Sequence, residues 1–269
     1  MTDVSPTDRP EAGVALAAAS KVPLVTALFW VMKIAATTLG ETAGDLLSMT
    51  LKVGYAVSSL ILISAFLVTV VAQLRARKYY PALYWSVILS TSTAGTTMSD
   101  YMDRTLGLGY ARGSLVLVTI LGAIFALWRY SGHSFSVQNI RSFRVELLYW
   151  AAILFSNTLG TALGDFLADD SGLGFAGGAL LIGSLLAVIV LASRFTRLSK
   201  TLLFWVAFVL TRPFGATMGD VLTKSKARGG LGFGTVGSSA ILGALLVALV
   251  VYSTLKKPDV AVVPPTSVA

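Results

Sequence analysis

Four aspartates recur at equivalent places in the chain. Asp45, Asp100, Asp165 and Asp220 each follow a tryptophan, Trp30, Trp85, Trp150 or Trp205, by fifteen positions. A carboxylate supplies a hard oxygen ligand and an exchangeable proton, so four at one structural level are suited to binding or passing a cation. Oxygen side chains accompany them. Thr38, Thr93, Asn157 and Thr158 lie on the Trp side, and Thr42, Thr96, Thr97, Thr161 and Thr217 lie closer to the Asp. An oxygen-only donor set favours Mg²⁺, Mn²⁺ or Ca²⁺ over Zn²⁺ or Cu⁺. Two ordinary uses compete with this chemistry. A Ser or Thr hydroxyl can bond back to its own helix, and an Asp can simply mark a helix end at the water interface.

The departures from the pattern are equally informative. Three positions after the Trp stand Lys33, Ile88, Ile153 and Phe208, and eleven after it stand Glu41, Thr96, Thr161 and Ala216. Seven after it stand Thr37, Ser92, Asn157 and Arg212, the last followed by Pro213. Repeat 1 alone thus carries Lys33 and Glu41, and repeat 4 alone carries Arg212. Ionisable groups within a membrane segment are functional candidates by default. Glu41 and Asp45 are i, i+4 on one helix, a like-charge pair able to share a cation or a proton. Lys33 and Arg212 are expected to set the local field or to compete for the carboxylates. Pro213 removes a helical donor and loosens the turn before it.

The elements that must position these groups follow from composition. Of 269 residues, 55% are hydrophobic and 13% charged, against roughly 25% charged in globular domains. A soluble fold could not cover its surface with so few charges. Eight apolar segments are expected, at about 22–45, 53–74, 81–101, 112–130, 143–167, 173–193, 200–222 and 232–255. Each is long enough for a core of about 30 Å. The fold class expected is all-α, a polytopic membrane protein of eight transmembrane helices. Residues 1–21 and 256–269 are read as cytoplasmic tails flanking a membrane domain at 22–255. Thirteen Lys and Arg fall on the inner segments and six on the outer ones, which places both termini inside and the Asp level outside.

The eight segments form four repeats, about 22–76, 77–131, 142–194 and 197–255. A glycine stands five before each Asp (Gly40, Gly95, Gly160, Gly215), and a small residue stands directly before it (Gly44, Ser99, Gly164, Gly219). Such small-xxx-small spacing lets helices approach closely in lipid. Gly54-Tyr55, Gly109-Tyr110, Gly174-Phe175 and Gly232-Phe233 open the even segments. Two crossings per repeat make all four copies parallel about an axis along the membrane normal. The Trp and Asp levels then lie roughly 22 Å apart. The four Trp are expected to act as packing or interface anchors. This pattern resembles the bacterial membrane proteins built of four tandem two-helix repeats of unknown function, each with a hallmark Trp. The resemblance implies the repeat fold and a bacterial inner-membrane location, and carries no mechanism with it.

Several functions are excluded or disfavoured. There are no cysteines and one histidine, His133, so thiolate chemistry and a His-rich metal centre are absent. No nucleophile–base motif points to an enzyme, and the net charge of +8 reads as topology rather than nucleic-acid binding. Gly229 to Gly234 has no preceding strand and no Lys-Ser/Thr in frame, so it is not a phosphate loop. The expected function is secondary transport, with export slightly favoured, of a small cation such as manganese or magnesium. No cofactor is expected, and the partners are the bilayer and the transported cation, with homo-oligomerisation left open. The alternatives are a passive cation channel and a non-transporting membrane scaffold or regulator.

Overall fold

The computed structural model describes residues 21–132, 135, 140 and 142–255. The two expected tails, apart from Lys21, and His133 lie outside the described residues. Those described form eight long helices with no strand among them. The helices are α1 (Ala27–Asp45), α2 (Tyr55–Arg75), α3 (Pro81–Asp100), α4 (Tyr110–Tyr130), α5 (Phe143–Asp165), α6 (Gly174–Phe195), α7 (Lys200–Thr223) and α8 (Gly234–Leu255). Three odd helices begin at a hydroxyl cap. Thr26, Ser142 and Ser199 accept from the backbone N–H groups of Phe29, Val145 and Leu202, which satisfies donors that a helix start leaves open. α3 begins with Pro81, whose missing N–H costs nothing there.

The odd helices make a closed inner ring in which α1 packs on α3, α3 on α5, α5 on α7 and α7 on α1. The even helices lie outside. Each packs on the inner helix of the next repeat: α2 on α3, α4 on α5, α6 on α7, and α8 back on α1. The last repeat therefore closes on the first, as a parallel cyclic arrangement requires. Six helices (α2 and α4 to α8) are long and apolar enough to cross a membrane, which marks an integral membrane protein. α1 and α3 are less apolar for a physical reason. They present Thr, Ser, Lys and Glu to the protein interior, and the outer helices carry most of the exposed apolar surface. Only 11–28% of the outer spans is buried, against 67% for α5 and 56% for α7.

The glycines allow the ring to close. A Cβ on Gly95 would stand 2.9 Å from the Thr158 backbone nitrogen and 3.0 Å from the Asn157 carbonyl carbon. One on Gly44 would meet Thr96, one on Gly164 would meet Ala216, and one on Gly219 would meet Glu41, each at 2.8 Å. Gly40 faces Ser92, Gly160 faces Arg212, and Gly215 faces Thr37. Every contact runs to the adjacent repeat. Gly95→Val is therefore expected to push α3 off α5 and destabilise the bundle by about 1–3 kcal/mol. Thermal unfolding in detergent measures this, and an unchanged midpoint would contradict the close packing.

Three inner helices end in a π turn directly after the Asp, at Leu46–Thr50, Tyr101–Thr105 and Phe166–Asp170. Leu51, Leu106 and Ser171 donate to carbonyls five residues back. α7 has no such turn. It continues past Asp220 and ends at an extended Lys224. Repeat 4 thus differs from the others at the level of the aspartates.

Candidate functional site

The inner ring arranges its side chains in layers along one axis. The layer at the Trp end is aromatic. Trp85, Trp150 and Trp205 are buried and Trp30 is half-buried. The residues just before them, Phe29, Tyr84, Tyr149 and Phe204, interleave with them at ring separations of 5.0–6.1 Å. The Tyr84 and Tyr149 hydroxyls bond each other at 2.8 Å, and the Trp205 indole N–H donates to the Phe135 carbonyl at 3.0 Å. The tryptophans are packing anchors of the bundle. Lys21 seals this end by pairing with Glu146 at 2.7 Å.

One turn outward lies the layer of Lys33, Ile88, Ile153 and Phe208, with all four side chains fully buried. The Lys33 ammonium sits 4.0 Å from the Phe208 ring centroid and donates a long bond, 3.4 Å, to the Asn157 Oδ1. Among the described residues no carboxylate pairs with it. Lys33 thus makes no direct contact with the carboxylates for which it is expected to compete.

Arg212 takes that place. Its side chain is fully buried on the axis and reaches the other three repeats. One guanidinium nitrogen pairs with the Glu41 carboxylate at 3.0 Å and donates to the Thr161 hydroxyl at 2.6 Å. The same nitrogen also reaches the Thr96 hydroxyl and the Ser92 carbonyl, and its twin reaches the Thr37 carbonyl. Glu41, Thr96 and Thr161 are equivalent positions of repeats 1, 2 and 3, so repeat 4 places one cation at the centre of that layer. Pro213 sits beside it, with its ring Cδ against Gly160.

The outermost layer holds the four aspartates, all buried. They are joined in pairs. Lys224 bridges Asp45 at 2.8 Å and Asp220 at 3.0 Å. Arg104 bridges Asp100 at 3.0 Å and Asp165 at 3.1 Å. Each bridging residue stands four positions after the Asp of its own repeat. Met49 and Asp169 occupy that position in the other two repeats, so this layer has two-fold rather than four-fold symmetry. Asp100 Oδ1 and Asp220 Oδ1 touch their cations without aligned hydrogen bonds. Burial alone would lower the Lys224 ammonium from its ordinary value, but the Asp220 and Asp45 carboxylates outweigh it and hold that value raised. Arg104 also donates to the Tyr55 hydroxyl at 3.3 Å and lies beside the Tyr55 and Tyr110 rings.

Among the described residues, Glu41, Asp45 and Asp220 form a three-carboxylate cluster. One carboxylate oxygen from each lies within 4.8 Å of the others, and all three residues are buried. The structure thus brings together the four Asp, Glu41 and Arg212. It does not bring Thr38, Thr93 or Thr158 to them. Their hydroxyls donate to carbonyls of their own helices, Ile34, Leu89 and Leu154, at 2.9–3.1 Å, the competing use open to any helical Thr. Asn157 faces Lys33 and donates to the Thr91 hydroxyl at 2.9 Å. Arg104 and Lys224 are the partners not singled out from the sequence, although their i+4 spacing from Asp100 and Asp220 was a readable signal.

Comparison with curated proteins and with solved structures gives no match. A family of repeats does match, over residues 28–79, 83–134, 148–199 and 203–258. With its tryptophan layer, closed glycine contacts and paired aspartates all built from these copies, the chain belongs to the family described as a repeat of unknown function (DUF347).

Proposed function

We propose that this protein is a secondary transporter of a small hard cation, a divalent metal such as Mn²⁺ or Mg²⁺ being the preferred class. The observation that carries the reading is the convergence of five buried carboxylates, from all four repeats, on the outer part of one axis. Burying so much like charge is costly unless cations neutralise it. Arg212, Arg104 and Lys224 set three positive charges against those five carboxylates, leaving negative charge for protons or a bound cation to balance. The buried layer of Ile88, Ile153, Phe208 and Lys33 supports a carrier that changes conformation over an open channel. In this reading all eight helices span a bacterial inner membrane, with α1 and α3 shielded from lipid by the others. Both termini face the cytoplasm, and the aspartates face outward. In this reading an ion gradient or the membrane potential drives the transport.

A scaffold reading has one observation in its favour: each of the four repeated aspartates already holds a cationic partner within the chain. Flux assays separate the two. In liposomes loaded with an indicator dye, the wild type is expected to move at least one of Mn²⁺, Mg²⁺, Ca²⁺ or protons. Asp45→Asn, which removes a carboxylate from the Glu41–Asp220 cluster, should lower that flux by at least about tenfold, and Asp165→Asn, which unbalances Arg104, should lower it less. Absence of flux for every cation would favour the scaffold. Flux surviving both substitutions would remove the carboxylates from the mechanism.

A further inference from the structure

The two cationic bridges over the aspartates look equivalent by position but differ in how firmly they are held. Arg104 contacts two carboxylates, one tyrosine hydroxyl and two tyrosine rings. Its planar fork matches several acceptors at once, and stacking adds to its hold. Lys224 contacts two carboxylates. The positions equivalent to Tyr55 and Tyr110 are Phe175 and Phe233 in the second half, which have no hydroxyl to offer, and among the described residues no ring lies over Lys224. A lysine ammonium is a compact, well-hydrated point charge on a flexible stem. Lys224 also stands where α7 ends and the backbone turns extended; its side chain is 17% exposed against 32% for Arg104, so the two differ in the number and geometry of their partners rather than in burial. Arg104 is thus a fixed clamp, whereas Lys224 can swing into water.

The acids beneath the bridges differ in the same direction. The Asp45–Asp220 pair has a third carboxylate, Glu41, with oxygens of all three within 4.8 Å. One cation at about 2.0–2.6 Å from each oxygen can touch such a set. The Asp100–Asp165 pair has Thr96 and Thr161 at the positions matching Glu41 and so lacks a third carboxylate; Arg212 engages both hydroxyls and the Glu41 Oε2 alike. As with Asp100 in the other half, Asp220 is buried and its Oδ1 has no aligned hydrogen bond. The Lys224 ammonium, 3.0 Å away, is the charge that faces it.

We propose that the cation binds off the axis, in the repeat 1–repeat 4 half, on Asp45, Asp220 and Glu41, and that it displaces the Lys224 ammonium into solvent. The Arg104 half is then a static brace. This rests on the transport reading above and adds to it a location and a built-in competitor. The competitor has a use: when the cation leaves, Lys224 returns and the carboxylates are never left bare.

The test uses the full chain purified in nanodiscs, with Mn²⁺ as the probe. Loss of the free Mn²⁺ resonance signal reports binding, and acylation by an amine reagent followed by mass spectrometry reports the exposure of Lys224. Saturating Mn²⁺ is expected to raise Lys224 labelling several-fold and to leave exposed Lys226 unchanged. Lys224→Gln is expected to bind Mn²⁺ about tenfold more tightly, because one nearby positive charge is gone, while Lys226→Gln behaves as wild type. Binding with Lys224 labelling unmoved, or weaker binding by Lys224→Gln, overturns the displacement and leaves the transport reading standing. No binding of Mn²⁺, Mg²⁺ or Ca²⁺ overturns both. The labelling arm needs no substitution, so a variant that fails to fold does not blunt the result.

Discussion

Arg212→Met should be the most damaging single substitution in the inner ring. The side chain is fully buried and bonds to groups of repeats 1, 2 and 3. Removing it leaves Glu41 as a buried carboxylate without its cation. Breaking one side of a buried ion pair costs about 3–5 kcal/mol. It also strips a donor from the Thr96 and Thr161 hydroxyls, at about 1 kcal/mol for each unmade bond. The expected result is little folded protein, or a thermal midpoint in detergent far below that of the wild type. The double variant Arg212→Met with Glu41→Gln should recover much of the loss, since no charge is then stranded. The comparison separates two roles for Arg212. A single variant as stable as wild type would mean that the guanidinium does not hold the ring together. Failure of the double variant to recover would mean that the arginine stem and its carbonyl contacts matter more than the pair.

Arg212 also shows where the sequence is legible and where it stops. The repeat unit was readable because each copy repeats a local requirement. A Trp anchors one end, a glycine admits the neighbouring helix, and an Asp marks the other end. Those requirements recur at fixed spacing, and the structure places each at its own level of the ring. The partner of Glu41 was not readable in the same way. Lys33 lies on the same helix two turns away, which suggests a pairing by spacing alone. Eight residues at about 100° each leave the two side chains roughly 80° apart in rotation as well as about 12 Å apart in rise. Arg212 lies 171 positions from Glu41 in sequence, and only the closure of repeat 4 on repeat 1 makes them neighbours. The same closure turns four equivalent aspartates into two pairs, because the bridging cations occur in repeats 2 and 4 only. Those cations, Arg104 and Lys224, count in the sequence as outer-loop charges. Their i+4 relation to Asp100 and Asp220 is local, and it connects them to the aspartates once helix is assumed to continue past the Asp. The threonines illustrate the opposite case. Their types fit a cation site, but a hydroxyl on a helix always has a carbonyl within reach, and Thr38, Thr93 and Thr158 use it.

Lys33→Met is expected to raise stability while it abolishes or sharply lowers transport. The physical basis is the poverty of the ammonium's surroundings: one long bond to Asn157, one aromatic face, and two isoleucines in its layer. A cation taken out of water carries a penalty of several kcal/mol, and a single ring contact returns about 2 kcal/mol when desolvated. Met has a similar length and no charge, fits among Ile88, Ile153 and Phe208, and adds a favourable sulfur–ring contact. The fold should therefore gain about 1–4 kcal/mol, the range seen when buried charges give way to packed apolar groups. Thermal unfolding in detergent measures the gain, and liposome flux measures its consequence. A side chain kept for packing alone would give a stable, fully active Met variant. A group needed for the change of conformation or for charge balance during transport gives a stable, inactive one, and Lys33→Arg would then restore part of the flux despite its larger size. A Met variant less stable than the wild type would show instead that the ammonium holds the inner layer in place, and would move Lys33 from the mechanism into the framework.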